Sequence, residues 1–193
     1  MTGNDIVDMA TAAAESNWKR KGFLEKVFTP QEQRYIRETA SPDEMVWKLW
    51  SMKESAYKIY TRQYGGRFFA PLRFNCTVLN GSAGMVETGN ITYHTVTHSS
   101  KKYIYSIARP AGAVKVPFTG CCFRAPQHDL RSQQQFIYEK LVSHYAVISG
   151  KQKNKIAVIK DRNGIPYLHY IGEEPGIPVS ITQHGQYAAY TIY

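Results

Sequence analysis

Two carboxylates and two lysines near the start of the chain are the residues best suited to chemistry. Asp5 lies in a short apolar stretch, G-N-D-I-V-D, and Glu54 lies in a longer stretch over residues 42–62. If the first stretch is a strand that runs along a helix formed by the second, the two carboxylates converge and repel each other unless a cation lies between them. Hard oxygen ligands favour Mg²⁺, and Lys53 and Lys58 are suited to phosphate oxygens on the same metal. The pattern therefore predicts a magnesium-phosphate site.

The stretch over residues 42–62 has the pattern of an amphipathic helix. Ser41 is a cap candidate, and a proline and two acids follow it in the first turn. At about 100° per residue a broad apolar arc forms, and Lys53 projects from the middle of it. Such a lysine snorkels, pairs or meets a ligand, while Glu54 and Lys58 can pair at the i,i+4 spacing. A core helix with a snorkelling lysine and one ion pair is therefore the alternative to a reactive site.

The rest of the chain predicts helices followed by antiparallel strands. Short alternating runs separated by turn signals follow the long helix, and they predict a meander over residues 73–79, 85–88, 90–96 and 102–108. Beyond this meander we predict a strand over 114–123, a helix over 126–148, and strands over 156–160, 167–170, 179–182 and 187–192. Arg-Pro-Ala-Gly at 109–112 is the candidate boundary, which gives domains over 1–110 and 111–193. The predicted fold class is α+β, with two similar subdomains, each a long helix packed on an antiparallel sheet.

Composition narrows the class of protein and of partner. The chain has 193 residues, of which 43% are hydrophobic and 20% charged, as in ordinary globular proteins. It has neither a run of about 18 apolar residues nor a secretory-signal pattern, so we expect neither membrane insertion nor export. Three cysteines, two of them adjacent, favour reduced thiols and a cytoplasmic location. The net charge of +9 predicts an anionic partner. Charge alone does not distinguish between a nucleic acid, a membrane surface, a nucleotide and an acidic protein.

Three motifs in the first part of the chain resemble those of the 4′-phosphopantetheinyl transferases. They are G-N-D-I-V-D at 3–8, F-T-P-Q-E at 28–32 and W-S-M-K-E-S-A-Y-K at 50–58. The resemblance implies Mg²⁺-dependent transfer of the phosphopantetheine arm of coenzyme A to a serine of an acidic acyl or peptidyl carrier protein, with release of 3′,5′-ADP. It also implies a role in fatty acid or polyketide biosynthesis and the pseudo-dimeric fold of this family, with the active site between the two halves.

The resemblance also implies roles for individual residues of the first half. Asp5 and Glu54 match the metal-binding carboxylates, and Glu54 is the candidate base for the carrier serine. Lys58 is expected to stabilise or protonate the departing 3′,5′-ADP, and Lys53 to bind a coenzyme A phosphate. Two residues are supporting candidates: Trp50 beside Glu54, and Glu32, for which helix capping after Thr29 remains an equal alternative.

The second half resembles the coenzyme A-binding half of the larger members, but in swapped order. G-I-P at 164–166 and S-I-T-Q-H-G at 180–185 are similar to their G-K-P and S-H-S elements, and H-D-L-R-S at 128–132 is similar to a basic helix start. The implied coenzyme A-binding residues are Arg131, Ser132, Thr182 and His184. Since both halves of the site then belong to one chain, we expect a monomer. The partners implied by the resemblance are coenzyme A and a carrier protein, and we expect neither nucleic acid nor a membrane as a partner.

The chain departs from the family pattern at three positions. Val7 stands where larger members carry a third metal-binding acid, Ile165 replaces the lysine of G-K-P, and Gln183 replaces the histidine of S-H-S. Neighbouring strand residues face opposite sides, so His184 substitutes for that histidine only if a bulge intervenes. The rival hypotheses are a non-catalytic relative that binds coenzyme A or a carrier protein and, from another class, a basic nucleic-acid-binding module.

Overall fold

The computed structural model describes residues 1–66, 70–113, 119–125 and 129–193. Its first part contains four helices, α1 (Met9–Glu15), α2 (Phe23–Val27), α3 (Pro30–Glu38) and α4 (Pro42–Tyr64), and five strands, β1 (Gly3–Asp8), β2 (Asn75–Val78), β3 (Ala83–Thr88), β4 (Ile91–Ser99) and β5 (Tyr103–Pro110). Its second part contains β6 (Thr119–Arg124), α5 (Leu130–Ser149), β7 (Ile156–Lys160), β8 (Pro166–Tyr170), β9 (Glu173–His184) and β10 (Tyr187–Ile192). The predicted strand residues 114–118 and the predicted helix residues 126–128 lie outside the described residues.

The first sheet has the order β1-β5-β4-β3-β2, and α4 packs across it. Leu49, Met52, Ala56 and Ile59 recur at helical spacing and are completely buried, so they form the face of α4 that covers the sheet. Gly3 allows β1 to pass closely along this helix, because a Cβ atom there would lie 2.0 Å from the carbonyl oxygen of Ser55. The sequence thus places the short strand directly against the long helix.

The second sheet has the order β6-β10-β9-β8-β7, and α5 covers one of its faces. Ile137, Leu141 and Tyr145 supply the buried stripe of α5. The α+β fold with two similar subdomains, each a long helix on an antiparallel sheet, is therefore confirmed. None of the helices in the described residues is long and apolar enough to cross a membrane.

The two sheets meet where β9 lies against the free edge of β1. Strand β1 pairs with β5 on one side only, which leaves alternate backbone N–H groups on its other side to be paired. Three alternate side chains at the end of β9 accept one each: Ser180 Oγ from Asn4 N (3.2 Å), Thr182 Oγ1 from Ile6 N (3.2 Å) and His184 Nδ1 from Asp8 N (2.9 Å). The bonded N–H groups of β1 and the accepting side chains of β9 both recur at every second residue. These bonds therefore fix the register of β1 against the second sheet and the position of Asp5.

Candidate active site

Asp5 is a buried carboxylate with one oxygen that lacks a partner. Its Oδ1 atom accepts a hydrogen bond from Thr182 Oγ1 at 3.1 Å and lies 3.5 Å from Lys58 Nζ. Its Oδ2 atom is buried and has no hydrogen-bond partner among the described residues. Burial raises the pKa of Asp5, against the lowering effect of the Lys58 charge. A buried carboxylate oxygen without a partner is costly unless a cation or donor occupies the adjacent space.

Glu54 on α4 faces the same space as Asp5. Burial and the negative charge of Asp5 raise the pKa of Glu54 to about 7, while Lys58 lowers it. Both carboxylates line a cavity of about 270 Å³ between the sheets, together with Trp47, Trp50, Gln183 and His184. The strand therefore does lie along the helix, and the two acids converge.

Lys58 connects this cavity to a second, larger one. Its ammonium donates to the carbonyl oxygen of Asn4 at 2.7 Å and pairs with Asp5 at 3.5 Å, so the ion pair observed at this lysine runs to β1 rather than to Glu54. Lys58 also lines a cleft of about 970 Å³ between the end of α4 and the turn that joins β7 to β8. Its side chain thus lines the larger cleft and contacts Asp5, which lines the smaller cavity.

The expectation that Lys53 binds a coenzyme A phosphate is corrected by its position in the core. Its side chain is 0% exposed, and its ammonium lies 2.8 Å from Glu32 Oε2. The remaining donors go to the carbonyl oxygens of Phe74 at 2.6 Å and Pro71 at 2.9 Å. The lysine in the apolar arc is satisfied by a buried acid and by backbone, so it does not face a ligand.

Glu32 fills the capping role, and it is absent from the lining of the cavity that contains Asp5 and Glu54. It forms a capping box with Thr29, whose N–H donates to Oε2 at 2.8 Å. Its Oε1 accepts the N–H of Cys76 at 2.6 Å, and Lys53 is its ionic partner. Glu32 therefore supports α3, α4 and β2 as a buried hub rather than the reacting groups directly.

Thr182 and His184 lie at the site, although Thr182 is already bonded. The Thr182 hydroxyl donates to Asp5 and accepts from Ile6 N, so it positions the carboxylate and does not offer its proton to a ligand. His184 lines the cavity with its Nδ1 occupied by the N–H of Asp8. The β9–β10 register has no shift at these positions, and Gln183 bonds instead to Gln133 of α5. The bulge required for His184 to replace Gln183 is therefore absent from this part of the described sheet.

Arg131 and Ser132 are not brought to the carboxylates, and their assignment to coenzyme A stays a prediction. Ser132 is exposed, and its hydroxyl donates to Asp129 at 2.6 Å as part of the cap of α5. Arg131 lines a surface groove formed by α5 and the segment around Lys153. These residues begin the helix as expected, but the helix start presents them to a different surface.

One residue that sequence reasoning missed is Arg62, near the end of α4. Its guanidinium donates to the carbonyl oxygens of Thr2 and Val179, and so it ties the helix to both sheets. Burial lowers the pKa of Arg62, and the nearby Asp161 opposes this effect. In the sequence Arg62 is recognisable as a charged residue on the polar face of the predicted helix, but this position does not indicate which residues its guanidinium binds.

The donor set fits one Mg²⁺ held by two protein carboxylates. Asp5 Oδ2 has no other partner, and the pKa of Glu54 is raised in a way that a bound cation would reverse. Asp8 cannot serve as a third acid, because its carboxylate caps α1 through Ala10 N and binds Gln186 N. The described residues contain no cluster of three or more potential ligands. Water and substrate oxygens would complete the octahedron that Mg²⁺ requires.

Thr182→Val is expected to lower the free energy of unfolding by about 1–3 kcal/mol, because it leaves Ile6 N–H buried without an acceptor. Thr182→Ser keeps the hydroxyl and is the matched control, expected to retain most of the stability. Urea denaturation of the three proteins measures the difference. If the valine variant is as stable as the wild type, the hydroxyl does not hold β1 in place.

Glu54→Gln is expected to change how stability depends on pH in the absence of divalent cations. Because the folded-state pKa of about 7 lies above the value of about 4.5 for an exposed glutamate, the proton on Glu54 stabilises the folded state fully below about pH 4.5, and this contribution is lost as the pH rises through about 7. The wild type should therefore lose on the order of 2–3 kcal/mol relative to the variant between about pH 5 and about pH 8. Denaturation curves with a chelator present test this, and parallel pH profiles would contradict it.

Comparison with known proteins gives a family match and similarities to solved structures, which include two holo-[acyl-carrier-protein] synthases. The model of the 4′-phosphopantetheinyl transferase superfamily matches residues 1–112. Holo-[acyl-carrier-protein] synthase of Helicobacter pylori, in complex with coenzyme A, is 16% identical, with a TM-score of 0.46 over 57% of this chain and 100% of that one. The Thermotoga maritima synthase is 11% identical, with a TM-score of 0.45 over 88% of this chain and 83% of that one. No curated protein matched.

Proposed function

This chain belongs to the 4′-phosphopantetheinyl transferase superfamily, and from that premise we propose its reaction. It transfers the phosphopantetheine arm of coenzyme A to a serine of an acyl or peptidyl carrier protein, depends on Mg²⁺ and releases 3′,5′-ADP. The observation that carries this proposal is the pair of converging acids, Asp5 and Glu54, with an unpartnered buried oxygen on the first and Lys58 beside them.

In the proposed step the serine oxygen forms a bond to the β-phosphorus of coenzyme A, and the bond from that phosphorus to the oxygen of 3′,5′-ADP breaks. Bound Mg²⁺ would supply charge neutralisation to the pyrophosphate. Glu54, which lines the same cavity as Asp5, accepts the serine proton. Lys58 donates to the departing phosphate, since its ammonium lies between Asp5 and the larger cleft.

The larger cleft is proposed to hold the nucleotide end of coenzyme A. Its volume of about 970 Å³ lies within the range of pockets that bind small ligands and cofactors. Lys58 lines its inner end, so a pyrophosphate at the carboxylates leaves the nucleotide to extend along α4. In this arrangement the pyrophosphate lies at the smaller cavity and the nucleotide lies in the larger cleft, with the two sheets in the positions that the structure shows.

An acidic carrier protein is proposed to approach beside the basic segment Lys19-Arg20-Lys21. Lys19 and Trp18 line a small pocket that shares Ser16 and Trp47 with the cavity of Glu54. With a net charge of +9 on the whole chain, this surface would raise the rate of encounter with an acidic partner. The serine of the carrier would then enter from the side of the smaller cavity.

The protein is proposed to act as a monomer in the cytoplasm. Asp5 of the first sheet and Thr182 of the second are hydrogen-bonded within one chain, so the site as described needs no second copy. The three cysteines are free thiols, which fits a reducing compartment.

A non-catalytic relative that binds coenzyme A is the second candidate, because Lys53 is buried and Ile165 lacks a charge. Chromatography of the nucleotide products distinguishes the two hypotheses. The transferase releases 3′,5′-ADP from coenzyme A only when both Mg²⁺ and an apo-carrier protein are present. A binding protein leaves coenzyme A intact under the same conditions, and that result would overturn the proposed reaction.

A further inference from the structure

The larger cleft contains a cation that the proposed mechanism does not use. Arg162 lies in the turn between β7 and β8, is exposed and lines the cleft. Among the described residues it has no hydrogen-bond or ion-pair partner. An arginine without a partner on the wall of a concave site is available to an anionic ligand, and its planar guanidinium binds phosphate through two parallel hydrogen bonds.

The turn that carries Arg162 is held in one conformation by its own hydrogen bonds. Asp161 Oδ1 accepts the N–H groups of Asn163 and Ile165, both at 2.8 Å, and Asp161 N donates to the carbonyl oxygen of Ile165 at 2.9 Å. Gly164 has a φ of 73°, which favours glycine there over other residues. The backbone of Arg162 is therefore fixed at the cleft before any ligand binds.

The other cations on the described wall of this cleft are already engaged. Arg62 donates to the backbone of both sheets and faces the charge of Asp161. Lys58 lies at the inner end, beside Asp5. Among the described residues that line this cleft, Arg162 is thus the cation available to bind a second anionic group of the ligand.

The length of the cleft indicates which anionic group of the ligand lies at Arg162. Its α4 wall runs from Lys58 to Gly65, which corresponds to about 10 Å of helix at 1.5 Å per residue. A ligand with its pyrophosphate at Lys58 therefore reaches the turn with the far part of its nucleotide. In coenzyme A the anionic group at that end is the 3′-phosphate of the ribose.

We propose that Arg162 binds the 3′-phosphate of coenzyme A and makes the protein select coenzyme A over dephospho-coenzyme A. The inference rests on the proposed function, because it takes coenzyme A as the ligand of the cleft. Ile165, which also lines the cleft, supplies no charge at the position where the family motif has a lysine. Arg162 therefore compensates for a charge that Ile165 does not provide.

Isothermal titration calorimetry without carrier protein tests this inference, with coenzyme A, dephospho-coenzyme A and 3′,5′-ADP as ligands in the presence of Mg²⁺. Arg162→Gln is expected to weaken coenzyme A and 3′,5′-ADP about fivefold to tenfold, as for one partly exposed charge-assisted contact, and to leave dephospho-coenzyme A unchanged. Lys160→Gln is the matched control, since Lys160 is an exposed cation two residues away that does not line the cleft. It is expected to bind all three ligands as the wild type does.

A rescue variant completes the experiment. Adding Ile165→Lys to Arg162→Gln is expected to restore much of the lost affinity for coenzyme A, because it places a cation on the same turn. Equal binding of coenzyme A by the wild type and Arg162→Gln would overturn the inference while leaving the proposed function intact. Equal weakening of coenzyme A and dephospho-coenzyme A would overturn the assignment to the 3′-phosphate. A wild type that binds none of the three ligands would instead contradict the proposed function itself.

Discussion

Glu54→Gln is expected to lower the rate of phosphopantetheine transfer by about 10²- to 10⁴-fold, the usual loss when a general acid or base is removed. The amide keeps the shape of the side chain but can neither take up the serine proton nor supply a charged metal ligand. Folding should survive, because the variant removes a carboxylate whose ionisation is opposed by burial and by Asp5. Steady-state kinetics for coenzyme A and the carrier protein, with circular dichroism as the folding check, measure the effect.

Glu44→Gln is the matched control for this change. Glu44 is an exposed acid in the first turn of the same helix and does not line the cavity that contains Glu54. We expect its kinetics to match those of the wild type within about twofold, as for surface substitutions away from functional groups. If Glu54→Gln retains the turnover of Glu44→Gln, neither the proton acceptor nor the metal ligand has been identified correctly.

Lys53→Met is expected to destabilise the protein by about 3–5 kcal/mol, as when one partner of a buried ion pair is removed. The lysine and Glu32 are both completely buried, and the variant leaves the carboxylate with N–H donors but without its cation. Because the Lys53 ammonium does not reach the cavity, the affinity of the folded variant for coenzyme A should be unchanged. Urea denaturation and calorimetry at a temperature where the variant is folded give the two quantities.

The double variant Lys53→Met with Glu32→Gln separates the ion pair from general damage to the core. Removing both charges should recover part of the stability lost by Lys53→Met alone, since no uncompensated charge then remains. A Lys53→Met protein with normal stability and greatly weakened coenzyme A binding would show the opposite, that this lysine contacts the ligand.

The sequence indicated the fold and the pairing of Asp5 with Glu54 because both depend on local patterns. The short apolar stretch G-N-D-I-V-D predicted a strand, and the apolar arc of residues 42–62 predicted the helix on which it packs. Strand β9 was predicted too short, at 179–182 instead of Glu173–His184, because the prolines and glycine at 175–178 have the pattern of a turn.

The roles of Lys53, Thr182 and Ser132 could not be predicted in the same way because their partners are tertiary or lie in loosely matched segments. A helical projection shows that Lys53 points into an apolar face, but its partner Glu32 comes from another helix. Thr182 meets Asp5 only because β9 crosses the edge of β1. The motif around Ser132 indicated a helix start correctly, yet a motif does not state which surface the first turn faces.

Intact-mass spectrometry of a purified apo-carrier protein, incubated with this protein, coenzyme A and Mg²⁺, tests the central claim most directly. Wild-type protein is expected to convert the carrier to a species heavier by one phosphopantetheine group, and a chelator is expected to prevent the conversion. The Glu54→Gln variant should convert the carrier at least about 10²-fold more slowly. The account would be contradicted if carriers that a known transferase modifies in parallel stay at the apo mass with the wild-type protein, although it binds coenzyme A and Mg²⁺.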